Sequence, residues 1–137
     1  MEERMTLTFV LMDAPFEASR TTTALRVIDA AVRRGFNVNV FAYEGAVGLP
    51  FRHQQPHANA VHGRSAEEED HPLPREWIAG LMARAAEGGV RFDWVNCGLC
   101  VDERGAGEAI DGVRRGTPAD LWTMASTSHN TLVVATA

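Results

Sequence analysis

The order of elements in this chain is set by residues 6–43, which read TLTFVLMDAPFEASRTTTALRVIDAAVRRGFNVNVFAY. Thr6 to Met12 is an apolar, β-rich run with the length of a buried strand, and Asn37 to Tyr43 is a second such run. Between them, from about Ser19 to Arg34, apolar residues recur at helical spacing, and Gly35 follows as a helix stop. These three segments form a β-α-β unit, which requires a parallel sheet covered by helices.

The same alternation of strands and helices continues to the end of the chain. Helical spacing resumes from Trp77 to Ala85 and stops at the pair Gly88-Gly89. The remaining predicted elements are a strand at Phe92–Val95, a short helix at Glu103–Ile110, a weak strand at Gly112–Arg114, a helix from Pro118 and a terminal strand at Thr131–Ala135. The order predicts a doubly wound α/β domain. The spacing also predicts that Trp77, Trp94 and Trp122 pack in the core.

The length of 137 residues corresponds to one domain, residues 1–137, interrupted by an irregular loop at about 44–74. This loop contains an acidic run at 67–70 and four histidines: His53, His57, His62 and His71. A helix would place two of these histidines on one face as a metal pair, but Pro56 disfavours a helix there. We therefore expect a solvated loop rather than a metal site.

Charge and composition restrict the function classes. The net charge of −5 argues against nucleic acid as a partner, because Lys and Arg supply most of the affinity for phosphate backbones. No apolar run approaches the roughly 20 residues that span a bilayer. The segment Met1–Met5 is acidic where a secretory signal is basic. We expect a cytoplasmic protein without a membrane partner, in which the cysteines rest as thiols.

The chain contains two cysteines, and they stand three residues apart in the segment Cys97-Gly98-Leu99-Cys100, just after the third predicted strand. Reactive groups collect at the carboxyl ends of parallel strands, and a thiolate near a helix N-terminus is stabilised. Gly98 permits backbone geometries that other residues avoid. A C-x-x-C pair at such a turn favours redox or sulfur-transfer chemistry over the alternative of two small buried hydrophobic residues.

Cofactor sites are not expected from the sequence. The loop from Asp13 to Thr22 contains no glycine, whereas phosphate-cradling loops usually need one, which argues against flavin. A structural zinc site needs four protein ligands, and two cysteines supply half of them. His129 precedes the last strand, at the end of the sheet opposite to Cys97, and is a poor base for this cysteine.

The segment Val95-Asn96-Cys97 followed by Arg104-Gly105 resembles the DsrE/DsrF-like (TusD-like) sulfur-relay family, in which a strand ends in the sulfur-accepting cysteine. Other segments agree with the family in the same order: Asp13-Ala14-Pro15-Phe16, Val40 through Val47, and Gly116-Thr117 through Leu132-Val133-Val134. The resemblance covers nearly the whole chain. It implies a flavodoxin-like, three-layer α/β fold with a mostly parallel sheet of about five strands.

The resemblance also implies a function. Cys97 would be the sulfur-accepting nucleophile and Cys100 an auxiliary thiol. By the chemistry of thiol-disulfide exchange, such a transfer needs no metal or organic cofactor, and Cys100 could resolve the persulfide into a Cys97–Cys100 disulfide. Partners would be sulfur-donor and sulfur-acceptor proteins or small thiols, and the chain would form a homo-oligomer, a trimer or hexamer. Two alternatives remain open: a C-x-x-C thiol-disulfide redox protein or sensor, and a non-enzymatic assembly subunit whose cysteines only pack.

Overall fold

Five parallel strands form the centre of the protein in a computed structural model that describes residues 4–58, 60–69 and 72–136. The strands are Thr6–Leu11 (β1), Asn37–Ala42 (β2), Phe92–Cys97 (β3), Val113–Gly116 (β4) and Asn130–Val134 (β5). The helices are Ser19–Arg33 (α1), Ala66–Glu69 (α2), Pro74–Glu87 (α3), Gly98–Glu103 (α4) and Pro118–Thr127 (α5). The sheet order is β4-β3-β2-β1-β5, and each neighbouring pair is parallel. The predicted flavodoxin-like α/β fold is confirmed.

The two faces of the sheet are covered by different helices because side chains alternate along each strand. Val38 and Val40 of β2 belong to the cluster that packs under Ile28 of α1 and Leu81 of α3. Phe41, the next residue along β2, packs on the opposite side in a cluster with Met124 of α5. Two helical layers and one sheet make the three layers of the fold.

The connection between β3 and β4 differs from the prediction. The short helix predicted at Glu103–Ile110 is wrong, since α4 begins at Gly98, immediately after β3, and ends at Glu103. Gly105 adopts the left-handed backbone conformation (φ 59°), which stops the helix. The chain beyond it is held by an antiparallel bridge between Ala109 and Phe51. The predicted helix was therefore placed about five residues too late.

The three tryptophans do not share one environment. Trp94 is fully buried under α1 and α3, and Trp77 is partly buried against the same cluster. Trp122 is 75% exposed, so its prediction as a core residue is wrong. On α5 the sheet-facing positions are Leu121 and Met124, three residues apart, and Trp122 falls between them on the outer side.

The segment 44–74 packs against the core at its start and then runs along the surface. Its first residues form a 3-10 helix, Glu44–Gly48, in which Ala46 and Val47 are buried. The 3-10 helix Ala60–His62 and α2 contain no buried residues. Asp70 and His71, like residues 1–3, 59 and 137, lie outside the described residues. Within the described part of the chain, no helix combines the length and apolar character needed to cross a bilayer.

Candidate functional site

Both cysteines lie at the carboxyl edge of the sheet, where β3 turns directly into α4. Cys97 is the last residue of β3 and takes an extended conformation (φ −61°, ψ 116°) at the N-cap position of α4. Cys100 is the third helical residue, so one turn of helix brings its side chain back toward the strand end. The strand-to-helix junction contains no intervening loop, and its geometry is therefore set by the sheet and by α4 together.

The thiols are enclosed by an apolar cluster. Cys97 is 2% exposed and Cys100 is 7% exposed. The cluster around them joins the second face of the sheet to α5: Phe41, Val47, Val95, Cys97, Cys100 and Met124 are buried, and Tyr43, Val101, Ala106 and Leu121 pack against it. Leu99, between the cysteines, is 67% exposed and turns away from the cluster. A reagent reaches either sulfur only after this packing opens locally.

The Cys100 thiol is held between Cys97 and the 3-10 helix Glu44–Gly48. The backbone N–H of Glu44 donates a hydrogen bond to Cys100 Sγ at 3.2 Å. Burial raises the pKa of Cys100, its side-chain hydrogen bond with Cys97 raises this pKa further, and the Glu44 N–H opposes both. The net direction is upward, so Cys100 keeps its proton and is suited to donate an S–H hydrogen bond.

Asn96, which precedes Cys97, ties the end of β3 to its surroundings. The side chain is 3% exposed. Its Nδ2 donates to the carbonyl oxygen of Val47 at 3.1 Å, and its Oδ1 accepts from Trp94 Nε1 at 3.0 Å. Both polar ends of a buried amide are thus satisfied, which fixes the strand end beside the 3-10 helix Glu44–Gly48.

Arg115 of β4 holds the first turn of α4, a role that the sequence analysis did not identify. Its Nη2 donates to the carbonyl oxygen of Gly98 and to the Asp102 carboxylate, each at 2.9 Å. Gly98 shows no left-handed backbone, contrary to the role expected for it; a Cβ there would instead lie 3.1 Å from Arg115 Nη2. The glycine therefore leaves room for the guanidinium.

Arg104, part of the segment that resembles the sulfur-relay family, lies at the other end of α4 from the cysteine junction. It is the C-cap residue and is exposed. Within residues 4–58, 60–69 and 72–136, its side chain makes no hydrogen bond or ion pair, whereas Arg115 makes both. The arginine that touches the first turn of α4 is Arg115.

Three of the described histidines lie away from the thiol site: His53, His57 and His129. His53 and His57 pack edge-on against different rings, Phe51 and Phe16, with centroid distances of 5.7 and 5.1 Å. His129 Nδ1 accepts from the backbone N–H of Thr6 at 3.0 Å, at the amino end of β1 and away from Cys97 as expected. The described residues bring no three His, Cys, Asp or Glu side chains together as a metal site.

Solved structures with the same architecture establish the fold of this chain. The ychN protein from E. coli has a TM-score of 0.71 and 20% sequence identity, over 94% of this chain and 98% of that one. The conserved protein BT1422 of unknown function from Bacteroides thetaiotaomicron has a TM-score of 0.54 and 13% identity, over 94% of both chains. No protein-family model and no curated protein matches the chain. These likenesses extend to the fold alone.

Proposed function

We propose that this protein handles sulfur, accepting the terminal sulfur of a persulfide on Cys97 and passing it to an acceptor thiol. The observation that carries the proposal is the asymmetric thiol pair at the carboxyl end of β3, with Cys97 at the N-cap of α4 and Cys100 held protonated beside it. The resemblance to the DsrE-like sulfur-relay family over Val95-Asn96-Cys97 and Arg104-Gly105 supports it. The shared fold with ychN is compatible with it.

The proposed transfer follows the chemistry of thiol-disulfide exchange. The Cys97 thiolate attacks the terminal sulfur of a donor R–S–S–H, the donor S–S bond breaks, and R–S⁻ leaves with the electron pair. Cys97 then holds –S–S–H. An acceptor thiolate R′–S⁻ attacks that terminal sulfur, which regenerates the Cys97 thiolate and yields R′–S–S–H. No net oxidation occurs, so the transfer needs no cofactor.

Cys100 has two roles in this scheme. As a protonated thiol it donates a hydrogen bond toward sulfur on Cys97, because burial and Cys97 itself raise its pKa. Once deprotonated, it can attack the Cys97 sulfur and expel HS⁻, which leaves a Cys97–Cys100 disulfide. In that step the two cysteines are oxidised by two electrons, and the terminal sulfur is reduced to hydrosulfide. A dithiol reductant must then restore the pair.

Access to the thiols sets the rate of this chemistry. Cys97 is 2% exposed, and the cavity beside α4, lined by Val101 and Asp102 among others, includes neither cysteine in its wall. Transfer therefore proceeds through an opened form of the junction or on docking of a partner that opens it. The Arg115 contact with Gly98 and Asp102 stabilises the start of α4 and so opposes this opening.

The same burial favours one alternative. Cys97 and Cys100 pack among Phe41, Val95 and Met124 as small apolar side chains do, which is expected if the cysteines only pack and the chain is a non-enzymatic assembly subunit. A dithiol redox protein or sensor uses the same pair without a sulfur adduct. The three functions predict different changes in the mass of the protein after exposure to a persulfide donor.

Intact-mass spectrometry after exposure to a persulfide donor separates these functions, with wild type, Cys97→Ala and Cys100→Ala compared. We expect a gain of about 32 Da, one sulfur atom, in wild type and Cys100→Ala and none in Cys97→Ala. A loss of about 2 Da in wild type would identify the redox protein only if Cys100→Ala, which cannot form the internal disulfide, gains no sulfur adduct. Thiols that stay unmodified while the unfolded protein reacts would identify the assembly subunit. Leu99→Ala, an exposed position between the cysteines, is the matched control and should behave as wild type.

A further inference from the structure

A cavity of about 580 Å³ lies at the carboxyl end of β1, between the start of α1 and the chain that leads into α3. Neither cysteine lines it, so it is separate from the thiol site. Its volume falls in the range of pockets that hold small organic molecules. It lies beyond the carboxyl ends of β1 and β2, since residues that follow each of these strands line it. Ligands in open α/β sheets bind at such points.

One end of the cavity is polar because the first turn of α1 forms it. Ser19, Thr21 and Thr22 line the cavity there. The N-cap residue is Ala18, whose side chain cannot accept a hydrogen bond from the turn, and no acidic residue stands in that turn. The first N–H groups of this helix of 15 residues are therefore left for another acceptor, and the helix dipole favours an anion there.

Thr21 gives a second, independent indication of a ligand. This residue is 8% exposed, and within the described part of the chain its hydroxyl makes no hydrogen bond. The hydroxyl oxygen is accessible rather than fully buried, so it can bond to a molecule outside the protein. Thr21 lines the cavity in the same turn as the uncapped N–H groups. A single acceptor group placed there would satisfy both.

The wall opposite the start of α1 is mainly apolar and aromatic. Leu49, Leu73 and Trp77 line the cavity opposite the start of α1. Phe16 stands at its mouth with a left-handed backbone (φ 70°), and its ring meets His57 edge-on. Bulky residues adopt this backbone rarely, and such strain clusters at functional loops. The walls fit a flat, apolar body.

The charges of the described wall residues select the kind of anion. Arg26 lines the cavity and favours negative charge. Glu17 and Glu69 also line it and disfavour a doubly charged group, although Glu69 is paired with Arg64 at 3.6 Å. We propose that this cavity binds a small aromatic carboxylic acid, with its carboxylate on the first turn of α1 and on Thr21, and its ring against Trp77.

The test is an NMR titration of the ¹⁵N-labelled protein with indole-3-acetate and benzoate. We expect saturable shifts of the backbone amides of Ser19, Arg20, Thr21 and Thr22 with at least one of the two acids. The neutral indole-3-acetamide should bind about tenfold more weakly, because hydrogen bonds to a charged acceptor are the stronger ones. Phenyl phosphate, a dianion, should also bind more weakly. This comparison needs no variant.

Thr21→Val removes the hydroxyl at constant shape, and Thr23→Val is the matched control, since Thr23 is exposed and does not line the cavity. We expect Thr21→Val to raise Kd about tenfold with Tm unchanged or higher, because no hydrogen bond of the free protein is lost. Thr23→Val should leave Kd unchanged. The proposal is overturned if neither acid gives saturable shifts, if the amide or the phosphate binds as tightly, or if Thr21→Val binds like wild type.

Discussion

Cys100 is the residue whose protonation the fold controls most clearly within the thiol site. Burial and the hydrogen bond with Cys97 raise its pKa, and the N–H of Glu44 lowers it by less. The folded protein therefore binds this proton more tightly than the unfolded chain does. The resulting stability is present below the pKa of the unfolded thiol and is lost as the pH rises through the raised pKa of the folded protein.

The first prediction is a pH dependence of stability that depends on Cys100. The free energy of unfolding, measured by urea denaturation, should fall in wild type as the pH rises above about 8.5, the usual pKa of a thiol. In Cys100→Ala this fall should be smaller, because the titrating group is gone. Parallel curves for the two proteins across this range would contradict the raised pKa.

The second prediction concerns the two arginines near α4. Arg115→Ala removes the contact with Gly98 and Asp102 and should increase local opening of the cysteine junction. Exposed ion pairs contribute up to about 1 kcal/mol, so native-state alkylation of the cysteines should speed up about twofold to fivefold. Mass spectrometry of iodoacetamide adducts measures it. Arg104→Ala, at the opposite end of α4, is the control, and an equal effect there would rule out the assigned role of Arg115.

Sequence reasoning located the cysteines but not the residues that hold them. The C-x-x-C spacing and the preceding apolar run were sufficient to place Cys97 at a strand end. Arg115 and Gly98 meet because β3 and β4 pair in parallel, with Cys97 in register with Gly116. Such a contact across 17 residues depends on strand register, which no local pattern in one sequence specifies.

At the scale of elements, the long periodic segments were predictable and the short helix was not. α1 spans 15 residues with its apolar positions at helical spacing, and its predicted bounds agree within one residue. α4 has six residues and begins directly at the end of β3. A helix this short shows too little apolar periodicity to be recognised from the sequence. Trp122 was misplaced because α5 has one narrow buried stripe, at Leu121 and Met124.

The third prediction tests the start of α5. Thr117 and Asp120 form a reciprocal capping box, in which Ala119 N–H donates to Thr117 Oγ1 at 3.2 Å and Thr117 N–H donates to Asp120 at 2.8 Å. Thr117→Ala should lower the free energy of unfolding by about 1 kcal/mol. Thr23→Ala, on the exposed side of α1, should not lower it. If chemical denaturation shows that Thr117→Ala lowers the free energy of unfolding no more than Thr23→Ala does, the capping role is refuted.

At the scale of the whole molecule, one edge of the sheet carries exposed apolar side chains. β5 is an edge strand on which Leu132 is 48% and Val133 is 54% exposed. Trp122 of α5 is 75% exposed. Val133 is in register with Val10 of β1 and so lies on the same side of the sheet as α5. Exposed apolar edge strands are sites of association between chains.

The fourth prediction is therefore self-association through β5 and α5, into the trimer or hexamer that the family resemblance implies. Sedimentation velocity should give three or six times the mass of one chain. Val133→Lys and Trp122→Glu should shift the protein toward the monomer. Val61→Lys, at a valine that is 90% exposed in the 3-10 helix Ala60–His62, is the control and should not. A monomeric wild type at tens of micromolar would contradict this prediction.

The most direct test of the central claim is whether sulfur loaded on Cys97 is passed on. Cys100→Ala, which cannot form the internal disulfide, is loaded with a persulfide donor, freed of excess donor and mixed with a small thiol acceptor. We predict loss of about 32 Da from the peptide that contains Cys97 and an equimolar gain of persulfide on the acceptor. A sulfur adduct that forms elsewhere, or that stays on Cys97 while the acceptor remains unmodified, would contradict the role of Cys97 as a sulfur carrier.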